Sequence, residues 1–249
     1  MQKSTEFNID VNSKDHCKRT GLHRACENGY SKIVEYLTLK SHEFNIDVNA
    51  ENICKSTPFH KACEYGQLRI IEMFMKKSHE LKINLNARDQ YGSSGFYLAC
   101  AYGHLSAVDV LIQNYKEFNI DLNIKDENGW TGFHVACVKG HLKIAKILME
   151  KSDELNINLN AESYNGQTGF HLACLFSHVS IVEMFLENSE SYKLDLETED
   201  NHGKTGYKIA KEQMINLPFS ISFSGFTSNS SPQFKIVSLF TKYQKGNKE

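Results

Sequence analysis

The sequence predicts an all-α repeat solenoid, in which each unit supplies a helix-turn-helix pair and a short β-hairpin or loop finger. Three observations predict this fold class: a period of 37 residues, a threonine or serine before each helix pair, and apolar residues at helical spacing. Two residue types follow the period most clearly: His23, His60, His134 and His171, and Cys26, Cys63, Cys100, Cys137 and Cys174. Because a catalytic site does not recur five times at one spacing, the period indicates a repeated structural unit.

The fourth unit shows how each helix pair is predicted to begin. The cluster DENGW at 126–130 predicts a turn in which Gly129 can adopt a positive φ. Thr131 is predicted to cap the first helix, because its hydroxyl can accept a hydrogen bond from a free N–H of the first turn. The first helix is predicted over residues 133–139 and is expected to end at Gly140.

The second helix of the unit is predicted from its apolar stripe. In HLKIAKILMEKS, Ile144, Ala145 and Leu148 follow the spacing i, i+1 and i+4 of a buried helix face. The run NINLN at 156–160 then predicts an extended return to the next turn.

The segment DENGWTGFHVACVKGHLKIAKILM, which begins at Asp126, resembles the ankyrin repeat. The family pattern T-P-L-H-x-A is met by Thr131, Phe133, His134 and Ala136, with Gly132 in the place of the proline. The resemblance covers about residues 13 to 211. It implies an ankyrin-type stack, in which the histidine braces the turn by hydrogen bonding and the cysteine fills a small buried space.

The repeat departs from the family in its length. The family period is about 33 residues, and the four extra residues here lie within MEKSDELNINLN at 149–160. Because four residues are close to one helical turn of about 3.6, we expect a longer second helix. Asn45, Asn119 and Asn156 are expected to end it, since asparagine tolerates the left-handed conformation.

The period also predicts the organisation of the chain. Residues 1–12 match residues 38–49 and are interpreted as the end of a preceding partial repeat. Met1 is then either part of a short cap or an internal residue of a longer array. Five repeats are predicted at about 13–49, 50–86, 87–123, 124–160 and 161–197.

Residues 198–249 are predicted to form a degenerate C-terminal repeat. FKIVSLF at 234–240 aligns with LKIAKIL at 142–148 only after an insertion, which predicts that a loop at about 212–232 splits the unit. Two interpretations of this loop remain open, a mobile loop and a segment that covers the end of the stack.

Composition limits the partners and the compartment. The net charge of −2 argues against a nucleic-acid partner, and no apolar stretch is long enough for membrane insertion. Equivalent positions of stacked repeats lie roughly 8–10 Å apart, too far for a disulfide, which needs Cα atoms within about 7 Å. All seven cysteines are therefore interpreted as reduced thiols, which favours an intracellular protein. The protein is predicted to be cytoplasmic and monomeric.

No catalytic, metal or cofactor site is predicted. The His-x-x-Cys pairs offer possible ligands, but a structural zinc needs four converging ligands, whereas side chains of a regular stack run parallel. The sequence contains no phosphate-binding loop, H-E-x-x-H motif or nucleophile elbow. The chain is accordingly predicted not to be an enzyme and to bind no cofactor.

The positions that vary between repeats predict a surface for an unidentified protein partner. By family resemblance, partners bind the concave side formed by finger tips and first helices, where aromatic residues are frequent anchors. The candidate partner-binding residues are Ile53, Tyr65, Tyr91, Tyr102, Trp130, Lys139, Tyr164 and Phe176. The alternative is that each of them packs against its neighbouring repeat. Arg24 and Lys61, where later repeats carry Leu98, Val135 and Leu172, suggest a groove that is basic at one end and apolar at the other.

Two functions follow from this interpretation. The first is a non-enzymatic interaction module or scaffold that binds a partner through the concave face. The second is an ankyrin regulatory arm or fragment of a larger signalling enzyme, ubiquitin-ligase adaptor or channel.

Overall fold

A computed structural model describes residues 10–215 and 231–246 of the chain. The chain divides into two compact units, residues 1–127 and 128–249, and each is described by itself. The described residues form helices joined by turns, with no β-strand among them. The predicted all-α ankyrin-type fold is confirmed, and the described fingers are tight turns without strand structure.

The first unit contains three helix pairs in two layers. The helices are α1 (Gly21–Glu27), α2 (Ser31–Leu39), α3 (Pro58–Glu64), α4 (Leu68–Leu81), α5 (Gly95–Ala101) and α6 (Leu105–Gln113). The inner helices α1, α3 and α5 contact one another in chain order, and the outer helices α2, α4 and α6 do the same. Each inner helix also packs on the outer helix that follows it, so the apolar core lies between the layers.

The second unit repeats this arrangement. Its helices are α7 (Gly132–Lys139), α8 (Leu142–Glu150), α9 (Ser152–Leu155), α10 (Gly169–Leu175), α11 (Val179–Asn188), α12 (Gly206–Ile215) and α13 (Pro232–Gly246). The inner helices α7, α10 and α12 contact in order, and α11 packs between α8 and α13. The FKIVSLF segment thus lies on α13, where Ile236 and Phe240 are buried.

The predicted loop at 212–232 differs from the structure at its start. Helix α12 continues to Ile215, so residues 212–215 are helical, and α13 begins at Pro232. Residues 216–230, and residues 1–9 of the predicted partial repeat, lie outside the described residues. The proposed repeat boundaries remain a prediction.

The inner helices begin with the predicted caps. The hydroxyl oxygens of Thr20, Thr57 and Thr131 each accept a hydrogen bond from the backbone N–H three residues later. Ser94 does the same for Tyr97, at 3.2 Å. These bonds satisfy a donor that has no partner inside the helix, which explains the hydroxyl residue at this point of the period.

A glycine follows the cap where inner helices approach one another closely. A Cβ added at Gly95 would lie 2.6 Å from the Phe59 ring and 3.0 Å from the Cys63 sulfur, both on α3. In the second unit, a Cβ at Gly206 would meet the Phe170 ring at 2.8 Å. The glycine in the proline place of the family pattern therefore makes room for the large residue of the preceding helix.

The fingers are tight turns that bond to their neighbours. In the first finger, the N–H of Lys18 donates to the carbonyl oxygen of Asp15 at 2.8 Å. Lys18 and Lys55 adopt positive φ values of 57° and 55°, which costs a non-glycine residue about 1 kcal/mol. The N–H of Ile53 donates to the carbonyl oxygen of Cys17 at 3.0 Å, so the first two fingers lie side by side.

The four extra residues lengthen one outer helix only. Helix α4 runs without a break for 14 residues, whereas α8 stops after 9 and is followed by the single turn of α9. All five segments nevertheless end in the same way, with a residue of positive φ: Asn45, Lys82, Asn119, Asn156 and Lys193. The prediction that asparagine ends the helix holds for Asn156, which is the C-cap of α9. Asn45 and Asn119 have the expected positive φ, but they lie beyond the C-caps of α2 and α6, which are Lys40 and Asn114. The expectation of longer outer helices holds only for α4.

Candidate functional site

The repeated histidines connect consecutive repeats within each unit. Nδ1 of His23 accepts a hydrogen bond from the backbone N–H of Thr20 at 3.2 Å, so Nε2 carries the proton. Nε2 then donates to the carbonyl oxygen of Ser56, 2.9 Å away in the next repeat. His60 bonds Thr57 and the carbonyl oxygen of Ser93 in the same way, at 3.1 Å for both bonds. Both ring nitrogens are thus occupied by scaffold bonds.

Histidines of the second unit also bond the next repeat, although the acceptor of His134 lies at a different place in it. Nε2 of His134 lies 2.8 Å from the carbonyl oxygen of Ala161, and Nε2 of His171 lies 3.0 Å from that of Lys204. Burial lowers the pKa of His23 and of His60 below the ordinary value, although their hydrogen bonds to carbonyl oxygens act in the opposite direction. These two imidazoles are therefore neutral at physiological pH, which fits a hydrogen-bonding role in the core.

Tyr97 occupies the place of the missing histidine and uses a different partner. Its hydroxyl donates to Oδ2 of Asp126 at 2.9 Å, and both side chains are buried. Burial, followed by the negative charge of Asp126, raises the pKa of Tyr97 far above its ordinary value. The phenol therefore remains protonated and still bridges two repeats, as the histidines do.

The repeated cysteines lie inside the core. Cys63, Cys100, Cys137 and Cys174 have no exposed surface, and burial raises the pKa of each thiol far above its ordinary value. All seven cysteines are free. In the described part of the chain, no group of three or more His, Cys, Asp or Glu side chains is placed to hold a metal ion.

The aromatic candidates of the inner helices lie at their C-terminal ends and are exposed. Tyr65 caps α3 and Tyr102 caps α5 in the first unit, with 49% and 55% of their surface exposed. Phe176 caps α10 in the second unit and is 49% exposed. About half of each side chain is therefore open to solvent, and the other half is covered.

A histidine ring supports two of these aromatic side chains. The rings of Tyr102 and His104 stack at 6.4 Å with an angle of 10°, and Nε2 of His104 lies 2.8 Å from the carbonyl oxygen of Glu64. In the second unit, Phe176 stacks on His178 at 6.5 Å, and His178 bonds the carbonyl oxygen of Val138. Each aromatic ring is therefore held against a histidine that is itself bonded to the preceding repeat.

The Glu64 carboxylate of the preceding repeat influences Tyr102. Partial burial, followed by the charge of Glu64, raises the pKa of Tyr102. Glu64 also pairs with Lys61 at 2.6 Å.

The remaining candidates divide by exposure. The finger residues Ile53, Tyr91 and Tyr164 are exposed by 54%, 57% and 66%, and Lys139, the last residue of α7, is also exposed. Trp130 is half-buried beside the cap of α7, so it offers less surface than the others.

The predicted change from a basic to an apolar groove is wrong. Arg24 pairs with Glu27 at 3.1 Å and Lys61 pairs with Glu64, so these cations are locally balanced. At the supposed apolar end, Val135 and Leu172 are buried in the second unit. Burial removes Val135 and Leu172 from the surface, and ion pairing offsets the charges of Arg24 and Lys61.

An asparagine ladder that was not predicted from the sequence joins the repeats of the first unit and has one described rung in the second. Nδ2 of Asn86 donates to the carbonyl oxygen of Asn119 at 2.7 Å, and Oδ1 of Asn86 accepts from the N–H of Asp121 at 2.9 Å. Asn12, Asn49 and Asn160 make the same pair of bonds to their next repeat. The 37-residue spacing of asparagine was the available signal.

Inner and outer helix layers, a hydroxyl-histidine cap and bonds from each repeat to the next define an α-helical repeat protein in each unit. A comparison with protein-family models matches ankyrin repeats in three copies, at residues 3–89, 22–126 and 79–162. The matches together span more than half of the sequence, and the chain belongs to the ankyrin repeat family. A search of curated proteins finds no match.

Ankyrin repeats generally act as protein-interaction modules and are typically not catalytic. In the described residues, every helix is too short or too polar to cross a membrane. The histidines and buried cysteines are engaged in the scaffold. The exposed aromatic positions therefore remain as candidates for contact with a partner.

Proposed function

We propose that the chain is a non-enzymatic protein-interaction module that binds a partner protein through the concave face, at its finger tips and inner-helix ends. The observation that carries the proposal occurs separately in each unit: an exposed aromatic ring, Tyr102 in the first and Phe176 in the second, stacks on a histidine bonded to the preceding repeat. Tyr65 lies one repeat before Tyr102 and is equally exposed.

The energetics favour these residues as anchors. An aromatic side chain buries about 150–250 Å² when it is covered, and roughly half of that surface is still exposed at Tyr65 and Tyr102. At about 25 cal/mol per Å², covering the exposed part of one ring contributes on the order of 2 kcal/mol. Because the Tyr102 ring already stacks on His104, less side-chain entropy is lost when a partner covers it.

The free thiols support the proposed intracellular location. A protein with seven unpaired cysteines, two of them partly exposed at Cys17 and Cys54, is typical of a reducing compartment.

The test is to replace Tyr65 and Tyr102 together by alanine and to compare quantitative affinity capture from cell extract with that of the wild type. We expect the proteins held by the wild type to be reduced at least 10-fold, because two exposed anchors of about 1–2 kcal/mol each are lost. The urea midpoint should fall only slightly, since about half of each side chain is exposed and neither ring lies in the core.

The matched control is the double replacement of Tyr30 and Tyr36 by alanine. These tyrosines lie in the same unit, are 56% and 44% exposed, and belong to α2 or its cap rather than to an inner helix. Equal loss of capture in both variants, or no loss in Y65A/Y102A, would contradict the proposed surface.

A further inference from the structure

We propose that the finger tips of the first two repeats bind an acidic peptide segment. This inference rests on the proposed function, because it names the chemistry of a partner for that interaction module. The surface, called the basic tip here, consists of Lys14, His16 and Lys18 in the first finger and Lys55 in the second, all exposed.

The basic tip is continuous across the two fingers. The hydrogen bond from Ile53 to Cys17 joins their backbones, and Lys18 and Lys55 occupy equivalent places in these adjoining turns. Ile53 lies in the second finger and is 54% exposed, so an apolar side chain is presented beside the cations. An extended segment lying across the tips would meet two or three lysines and one apolar side chain.

Two of the lysines occupy backbone positions that favour glycine. Lys18 and Lys55 have φ values of 57° and 55°. The equivalent residues of the later fingers are Gly92, Gly129, Gly166 and Gly203, all with positive φ. A non-glycine residue in a left-handed backbone conformation is retained where its side chain contributes to function, or where the rest of the structure compensates for the energetic cost. The chain tolerates lysine in this conformation at Lys82 and Lys193 too, so those residues provide a control.

The charges of the basic tip are available to a partner. The neighbouring cations are paired, Arg19 with Asp15 at 2.9 Å and Arg24 with Glu27 at 3.1 Å. No ion pair found in the described residues engages Lys14, Lys18 or Lys55. Glu51 is the exposed carboxylate of the second finger, against three lysines in the tip. A negatively charged segment would therefore be attracted to this end of the unit, and salt would weaken the attraction.

An acidic peptide fits these observations better than a nucleic acid. Three lysines and one histidine form a small cluster, and the whole chain has a net charge of −2. Nucleic-acid surfaces usually carry a wider basic patch or stripe. Exposed Ile53 also suits a peptide side chain better than a phosphate backbone.

The test uses the full chain and a fluorescein-labelled peptide of ten glutamates, with a ten-serine peptide for comparison. Fluorescence anisotropy at low salt should show that the glutamate peptide binds and the serine peptide does not, and binding should weaken as salt is added. The K18G/K55G variant should bind the glutamate peptide at least 5-fold more weakly. Because glycine adopts positive φ without strain, this variant should be no less stable than the wild type in urea.

The matched control is K82G/K193G, which removes two lysines of the same charge and the same backbone conformation from other turns. It should keep the affinity of the wild type. Equal weakening in both variants, or unchanged binding by K18G/K55G, would overturn the proposal. Tighter, lysine-dependent binding of a labelled single-stranded oligonucleotide of equal charge would also overturn it.

The two proposals can fail separately. If K18G/K55G binds the glutamate peptide normally while Y65A/Y102A loses its captured partners, the acidic-peptide inference is wrong and the proposed function stands. If Y65A/Y102A captures partners normally while K18G/K55G loses the peptide, the aromatic surface is wrong and the basic tip is supported.

Discussion

At the residue scale, the repeated histidine joins the cap of its own helix to a carbonyl oxygen of the next repeat. His60 accepts from the N–H of Thr57 and donates to the carbonyl oxygen of Ser93, and its ring is fully buried. Because a buried polar group left without a hydrogen bond costs about 1–3 kcal/mol, removing the ring harms both repeats. The same chemistry explains why Tyr97 can replace histidine only by finding another acceptor, Asp126.

Burial of neutral histidines predicts that stability falls in mild acid. Burial lowers the pKa of His23 and of His60 from the ordinary 6.5, so below pH 6.5 the unfolded chain takes up protons that the folded chain does not. The free energy of unfolding should therefore fall as the pH drops below 6.5, by at most about 1.4 kcal/mol per pH unit for each histidine.

Urea unfolding at pH 7.5 and pH 5.5 measures this effect. The difference between the two pH values should shrink in H23Q/H60Q and stay unchanged in H16Q/H42Q, whose two histidines are exposed. An unaltered pH difference in H23Q/H60Q would show that these imidazoles do not contribute to the acid sensitivity.

Cysteine reactivity should separate the seven thiols into two groups. Cys17 and Cys54 are partly exposed, whereas the other five are buried and the pKa of each buried thiol is raised by burial. In the native protein, a thiol reagent such as dithionitrobenzoate should react quickly at two sites only, and at the other five after denaturation. Fast labelling of any core cysteine, identified by peptide mass analysis, would contradict the buried thiol positions.

At the element scale, the 37-residue repeat is distinguished by the turn that ends each outer segment. The N–H of Ile83 bonds the carbonyl oxygen of Ser78 around the positive-φ residue Lys82, and Ile120 bonds Tyr115 in the same way. Asparagine side chains of the preceding repeat then bond to these turns. The four extra residues of each repeat thus form a turn to which an asparagine side chain of the preceding repeat bonds.

Replacing Asn86 by alanine should destabilise the first unit. The side chain makes two bonds to the next repeat, to Asn119 and Asp121, and each bond contributes about 0.5–1.5 kcal/mol. We expect a loss of roughly 1–2 kcal/mol in urea unfolding and faster hydrogen exchange at the Asp121 amide. Gln113→Ala, which removes an exposed amide bonded only within its own helix to Asp109, is the control and should change little. Equal stability of N86A and the wild type would show that the ladder has no energetic role.

Local chemistry explains which of these features the sequence could predict. The period, the hydroxyl caps and the buried stripe depend on residues close in sequence, so they are readable at Thr131 or Ile144. The ion pair of Arg24 with Glu27 depends on side-chain rotamers, which the sequence does not show. The hydrogen-bond partners of Asn86 lie in the next repeat, 33 to 35 residues away. Periodicity identified Tyr65 and Tyr102, but it could not show that His104 supports Tyr102 or that Trp130 is half-buried.

At the scale of the whole molecule, scaffold and binding surface use different residues of the same repeat. Within each unit, the residues that recur are buried or bonded to the next repeat, as at His60 and Cys100. The residues that change between repeats, such as Tyr102 and Phe176, are exposed at the ends of inner helices. A mutation in the first group should change stability, and one in the second should change binding.

One experiment tests this separation directly: capture of the wild-type partners, per folded molecule, measured beside the free energy of unfolding for H60Q and for Y65A/Y102A. We expect H60Q to lose stability and keep its binding, and Y65A/Y102A to keep most of its stability and lose binding at least 10-fold, the loss expected for hot-spot anchors. Full binding by a stable Y65A/Y102A variant, or lost binding by a fully folded H60Q variant, would contradict this separation.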